Sequence, residues 1–115
     1  MRKTSNQDFK EFVAEAKRIV ALLGLTDWRI FFQHIHLKER AAHCVYQVSS
    51  RHATIALSTE LNDLENYNMK TLAIHETTHL LLADFYHLAV SRMGVSEEDF
   101  DRAEHAIVRR LEDIL

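Results

Sequence analysis

Five consecutive residues carry the densest chemistry in this chain: His75-Glu76-Thr77-Thr78-His79. On a helix, residues i and i+4 lie one turn apart on the same face. The imidazoles of His75 and His79 can then reach one metal ion. Glu76 is turned about 100° from His75. Its carboxylate stands beside such an ion, where it can hold and deprotonate a water. The chemistry on offer is metal-assisted hydrolysis with Glu76 as general base.

A tetrahedral zinc site that works catalytically needs a third protein ligand and an open fourth position. The tenth residue after His75 is Phe85, so no ligand is available there. Asp84 lies about 180° from His75 on a continuous helix and is expected to face solvent. The remaining acids are on the last helix. With Phe100 set at 0°, the apolar face runs from about −60° to 80°, and Glu104 falls near 40°. A carboxylate centred on a core-facing stripe needs a strong partner, and a metal held by the neighbouring helix is a good one. Glu98 falls near 160°, on the wet side, and is the runner-up. Glu97 and Glu98 also suit the first turn of a helix for dipole reasons alone.

Other reactive side chains are assigned more modest roles. Tyr86, Tyr46 and His105 are candidates for stabilising a transition state, but packing or surface positions are the better reading of each. His34 and His36 share a strand face without a third ligand nearby in sequence, which suits exposed side chains. Cys44 reads as a small buried residue.

The elements that must position the motif follow from periodicity. Phe9, Phe12, Val13, Ala16, Ile19, Val20 and Leu23 repeat at helical spacing, so a first helix spans about Asn6 to Leu23, stopped by Gly24. Strands follow over Trp28–His36, about His43–Val48 and Ala53–Ser58. A long helix begins between Asn62 and Asn68 and reaches about Met93, with Gly94 ending it. Its broad polar stripe is Lys70, Thr77, Asp84 and Ser91; the rest is mostly apolar, as in a central helix covered on several sides. Ser96-Glu97-Glu98-Asp99 resembles a capping box opening the last helix. The apolar face there carries Phe100, Ala103, Ile107, Val108, Leu111 and Ile114. The order is α-β-β-β-α-α, an α+β domain with a small three-stranded sheet beside helices and a buried HExxH helix.

The chain's 115 residues suit a single domain, residues 1–115, with one core. Two glycines and no prolines leave few breakers, which favours long helices. A net charge of −3 argues against a phosphate-backbone binder, so no nucleic-acid partner is expected. No apolar run is long enough to span a bilayer. The basic residues near the N-terminus precede no apolar stretch, so a cytoplasmic rather than exported protein is expected. A single cysteine excludes an internal disulfide and a CxxC zinc site.

HExxH, a later glutamate on a second helix and this element order resemble the gluzincin-type zinc metallopeptidases. More narrowly, the chain is similar to the minimal single-domain, minigluzincin-like forms found in phages, archaea and bacteria. The matching segments are Leu23-Gly24-Leu25-Thr26-Asp27-Trp28-Arg29-Ile30, the HETTH helix with its apolar tail, and Glu104-His105-Ala106-Ile107-Val108-Arg109-Arg110-Leu111. The resemblance implies a zincin-like fold and one Zn²⁺ per chain. It implies His75, His79 and Glu104 as ligands, Glu76 as general base, and a peptide or protein substrate. Glu98, 19 residues after His79, matches a spacing found in some large zinc peptidases. The implied substrate surface is the third strand, taken as a sheet edge, where Ala53, Thr54, Ile55, Ala56 and Leu57 would pair with an extended peptide.

A competing reading is a catalytically silent zinc-binding interaction or assembly module, since so short a chain has little mass for substrate pockets. A metal-free helical adaptor, with HExxH an accident of composition, is the third. Replacing Glu76 separates the first two; zinc content separates both from the last.

Overall fold

The computed structural model describes residues 2–62, 66–92 and 96–114. Its elements are β1 (Arg2–Lys3), α1 (Asn6–Leu22), β2 (Arg29–Ile35), β3 (Ala42–Gln47), β4 (His52–Ser58), β5 (Glu60–Leu61), α2 (Met69–Leu81), α3 (Ala83–Arg92) and α4 (Glu97–Ile114). The fold is α+β: four helices and a small three-stranded sheet, with β1 and β5 forming a separate two-stranded ribbon.

Local chemistry sets the ends of α1. Ser5 caps its start in a reciprocal box: Ser5 Oγ accepts from the Asp8 amide at 3.0 Å, and Asp8 Oδ2 accepts from the Ser5 amide at 2.9 Å. Gly24 ends it as the sequence predicts. Its φ of +69° lets the Leu25 amide reach the Val20 carbonyl at 2.9 Å and its own amide reach Ala21 at 3.3 Å. That pair of bonds is the Schellman arrangement.

The sheet order is β2-β4-β3, with β2 parallel and β3 antiparallel to β4. This corrects the expectation for the third strand. Ala53–Leu57 is the middle strand, and every one of its residues is in register with β2 on one side and β3 on the other. Its backbone is fully used in the sheet, so Ala53, Thr54, Ile55, Ala56 and Leu57 cannot receive an added peptide strand. The edge on the cleft side is β3.

One sheet face, with Phe32, Ile55, Leu57 and Cys44 upon it, packs on a core that includes Phe12 and Ala16 of α1 and Met69, Ala73 and Leu80 of α2. The opposite face stays open at Phe31 and Val45, at 57% and 58% exposed. His34 is not an exposed partner of His36. Its ring stacks on Phe9 at 4.9 Å and its Nε2 pairs with Thr4 Oγ1 at 2.6 Å.

The long central helix of the sequence reading is two helices. Asn68 caps α2 by accepting from the Thr71 amide at 3.1 Å. The ladder then breaks at Leu82, whose φ and ψ are −99° and 2°, and restarts as α3. The expected ends at Met93 and Gly94 lie outside the described residues. Thr77, expected on a solvated stripe, is fully buried, because α2 is covered by α1 as well as by β3 and α4. Asp84 does face solvent. It forms a two-pronged pair with Arg51 (2.9 and 2.8 Å). Arg51 also lies 3.3 Å from Asp27 and over the Trp28 ring, so it ties the start of α3 to the β3–β4 turn and to the residues before β2. Among the described residues no helix is long and apolar enough to cross a membrane.

Candidate metal centre

His75 and His79 project from one face of α2 into a cleft of about 660 Å³. β3 forms one wall through Ala42, Cys44 and Tyr46, and α4 forms another through Asp101, Glu104, His105 and Glu112. One metal-ligating nitrogen from each of His75, His79 and His105 lies within 4.8 Å of the other two. The three rings pack at centroid separations of 5.1, 5.5 and 4.9 Å. This group could hold a metal ion.

The hydrogen bonds behind the rings decide which nitrogens are available. His79 Nδ1–H donates to Glu104 Oε1 at 2.9 Å. His75 Nδ1–H donates to the Glu112 carboxylate. His105 Nδ1–H donates to the Asp101 backbone carbonyl at 2.8 Å. A carbonyl or an ionised carboxylate only accepts, so in each neutral ring the proton sits on Nδ1. Nε2 is left as a bare lone pair on all three. Metal-binding histidines are held in this way, by an acceptor on the far nitrogen that fixes tautomer and orientation. A zinc–nitrogen distance of about 2.0–2.1 Å spaces tetrahedral ligands roughly 3.4 Å apart, which is inside the 4.8 Å that bounds the separation of these ligand atoms.

Glu104 is therefore in the site, but behind His79. It is 6% exposed, as its place on the apolar face of α4 predicts. Its second oxygen, Oε2, is buried with no hydrogen-bond partner. An orphaned, buried carboxylate oxygen in the same cleft as three bare imidazole lone pairs is costly, and a cation there relieves both. The donor set thus fits a metal ion. Glu98 is exposed in the first turn of α4 and does not line the cleft.

Electrostatics follow the same geometry. Burial works against charge on His79, but the Glu104 hydrogen bond and charge outweigh it and make the ring more basic than usual. Glu76 is 9% exposed. Burial raises its carboxyl above the ordinary range, opposed by the positive charges available on His75, His79 and Arg40. Burial, with a contribution from Glu104, pushes the Tyr46 phenol up to about 12, so it stays a proton donor. Burial and the charges of Glu76 and Glu104 raise the Cys44 thiol. Tyr86 reaches the cleft, but its hydroxyl donates to Asp101 Oδ1 at 2.8 Å.

Sequence reasoning missed His105 as a member of the cluster and missed Glu112 altogether. A signal was present. From Phe100, Asp101 falls near 100°, Glu112 near 120° and His105 near 140°, one shared flank beside the apolar stripe.

Searches of protein-family models, curated proteins and solved structures match this chain to none of them.

Proposed function

We propose that this chain is a zinc-dependent metallopeptidase. The observation that carries the reading is the convergence of three histidine rings, each held from behind by its Nδ1, beside a buried glutamate in an open cleft. Nitrogen-rich tetrahedral sets suit zinc. His75, His79 and His105 would hold the ion through Nε2, one ion per chain, with Glu104 and Glu112 orienting His79 and His75. A bound zinc ion supplies Lewis acidity, polarising a substrate carbonyl and acidifying a water.

The chain's own residues do the rest. Glu76 takes the proton from the attacking water and returns it to the leaving amine nitrogen. Its buried position, which favours the protonated carboxyl, helps it keep that proton between the two steps. Tyr46, a hydroxyl of the cleft wall that remains protonated, is the available donor to an oxygen gaining negative charge. The peptide would lie along β3, the edge strand of the cleft wall, by strand addition. A helix bearing HExxH under such an edge strand agrees with the zincin-like architecture that the sequence resemblance implies.

The unpartnered Glu104 Oε2 favours a second reading of the ligand set. In it Glu104 turns from His79 to the ion and His105 remains outside, as in the gluzincin pattern. Both readings keep Glu76 as the base. The function is tested by incubating zinc-loaded wild type and Glu76→Gln with an unfolded protein substrate and following fragments by mass spectrometry. Cleavage by the wild type, with the variant retaining zinc but losing cleavage by at least about a hundredfold, is expected. Equal cleavage by both would exclude Glu76 as the base. No cleavage by a zinc-loaded wild type would favour the silent binding module.

A further inference from the structure

The cleft is electrically polar along β3, and one residue makes it so. Arg40 lies in the cleft wall two positions before Ala42, where β3 begins. At the opposite end of the strand are Tyr46 and, facing it from α4, Asp101. The other formally charged groups of the wall are Glu76, Asp101, Glu104 and Glu112. Histidines aside, Arg40 is the one cation among the described lining residues. No hydrogen bond or ion pair engages its guanidinium among the described residues. It nevertheless sits close enough to Glu76 for its charge to favour the ionised carboxylate.

We propose that Arg40 forms a carboxylate-binding subsite at this end of the cleft, so that the preferred substrates are short peptides whose C-terminal carboxylate lies a few residues beyond the cleaved bond. The inference rests on the peptidase reading above. A peptide added antiparallel to β3 directs its C-terminal part toward the start of that strand, and so toward Arg40. Its N-terminal part runs toward Tyr46 and Asp101, where negative charge suits an ammonium group. Cys44, the middle one of the three β3 residues that line the cleft, is taken as the level of the reacting bond. Arg40 lies four residues before Cys44 and lines the same cleft, which leaves room for about two or three substrate residues between the two levels. A guanidinium receives a carboxylate through two parallel hydrogen bonds. Away from the metal centre, the other formally charged groups of this wall are carboxylates, which would repel a second one.

The test uses zinc-loaded Glu76→Gln protein, which retains peptides without cutting them, and three fluorescein-labelled hexapeptides read by anisotropy. One has a free C-terminus, one is the amide, and one is the amide with Glu as its last residue. Amidation is expected to weaken binding about five- to tenfold. Adding Arg40→Gln should remove that difference, and Arg40→Lys should keep part of it, with zinc content unchanged in both. Recovery of binding by the Glu-ended amide would mean that any carboxylate is accepted; no recovery would mean that the chain terminus itself is read. Equal binding of acid and amide, or no binding of any of the three at millimolar concentration, would overturn the inference. Hydrolysis of acid and amide alike by zinc-loaded wild type would remove the role of Arg40 and leave the peptidase reading standing. Selective binding without hydrolysis would do the reverse.

Discussion

Glu104 Oε1 lies 2.9 Å from Nδ1 of His79, so the carboxylate grips the ring from behind and leaves Nε2 for the cluster. Glu112 does the same for His75. Both acids come from α4, and both histidines from α2. Metal binding at this cluster would thereby be coupled to the packing of these two helices, and the orienting carboxylates would enhance the basicity of the rings as ligands.

Glu104→Gln and Glu112→Gln should each keep the fold and weaken zinc binding about 10- to 100-fold, the usual cost of losing an orienting carboxylate. Competition titration against a chromophoric chelator measures this. Glu104→Gln should be the stronger of the two, because Glu104 is 6% exposed and its loss also changes the charge beside a half-buried, unusually basic His79. Affinity unchanged in both variants would remove the orienting role.

Gly24 offers a clean measurement of backbone strain. Its φ is +69°, and a Cβ built there meets no heavy atom within 4 Å. Gly24→Ala should therefore cost about 1 kcal/mol from the left-handed conformation alone, a fall in Tm of roughly 4 °C. Gly24→Asn should cost less, since asparagine tolerates that region better. Denaturant unfolding of the three proteins checks the order. A loss well above that in Gly24→Ala would mean crowding, which the structure does not contain.

Cys44 should be chemically quiet in the folded, metal-free protein. Its folded thiol is pushed above the ordinary range, mainly by burial. An acid whose folded pKa lies above its unfolded value retains its proton in the native state after the unfolded chain has lost it. This contribution therefore favours the fold less as pH rises above the unfolded thiol pKa of about 8.5. At pH 8 a disulfide reagent should modify the native protein slowly and the denatured chain quickly. Equal rates would show that the thiol is neither buried nor shielded.

How much was legible in the sequence varied with the kind of signal. The capped, periodic stretches were readable: Ser5 and Asp8 start α1, Gly24 ends it, and the Ser96 hydroxyl accepts from the Asp99 amide at 3.2 Å at the start of α4. The burial of Glu104 followed from its angle among apolar neighbours. Strand order did not follow, because the reading stressed the alternation of Ile55 and Leu57. Ala56 and Ser58 are fully buried as well, and a run buried on both faces marks a middle strand. The break at Leu82 has no glycine or proline to announce it. His105 escaped because a polar residue just off the apolar stripe is assigned to solvent by default. In this fold that flank of α4 faces α2 across the cleft, and it supplies the third ring.

The most direct test is zinc per chain by elemental mass spectrometry after reconstitution and gel filtration, for wild type, His105→Ala and Glu104→Gln. About one zinc in the wild type, lost from His105→Ala and retained with weaker affinity by Glu104→Gln, is the result expected of a three-histidine centre. Zinc retained fully by His105→Ala and lost from Glu104→Gln would contradict that centre and make Glu104 the third ligand. No zinc in the wild type would contradict the metal centre itself.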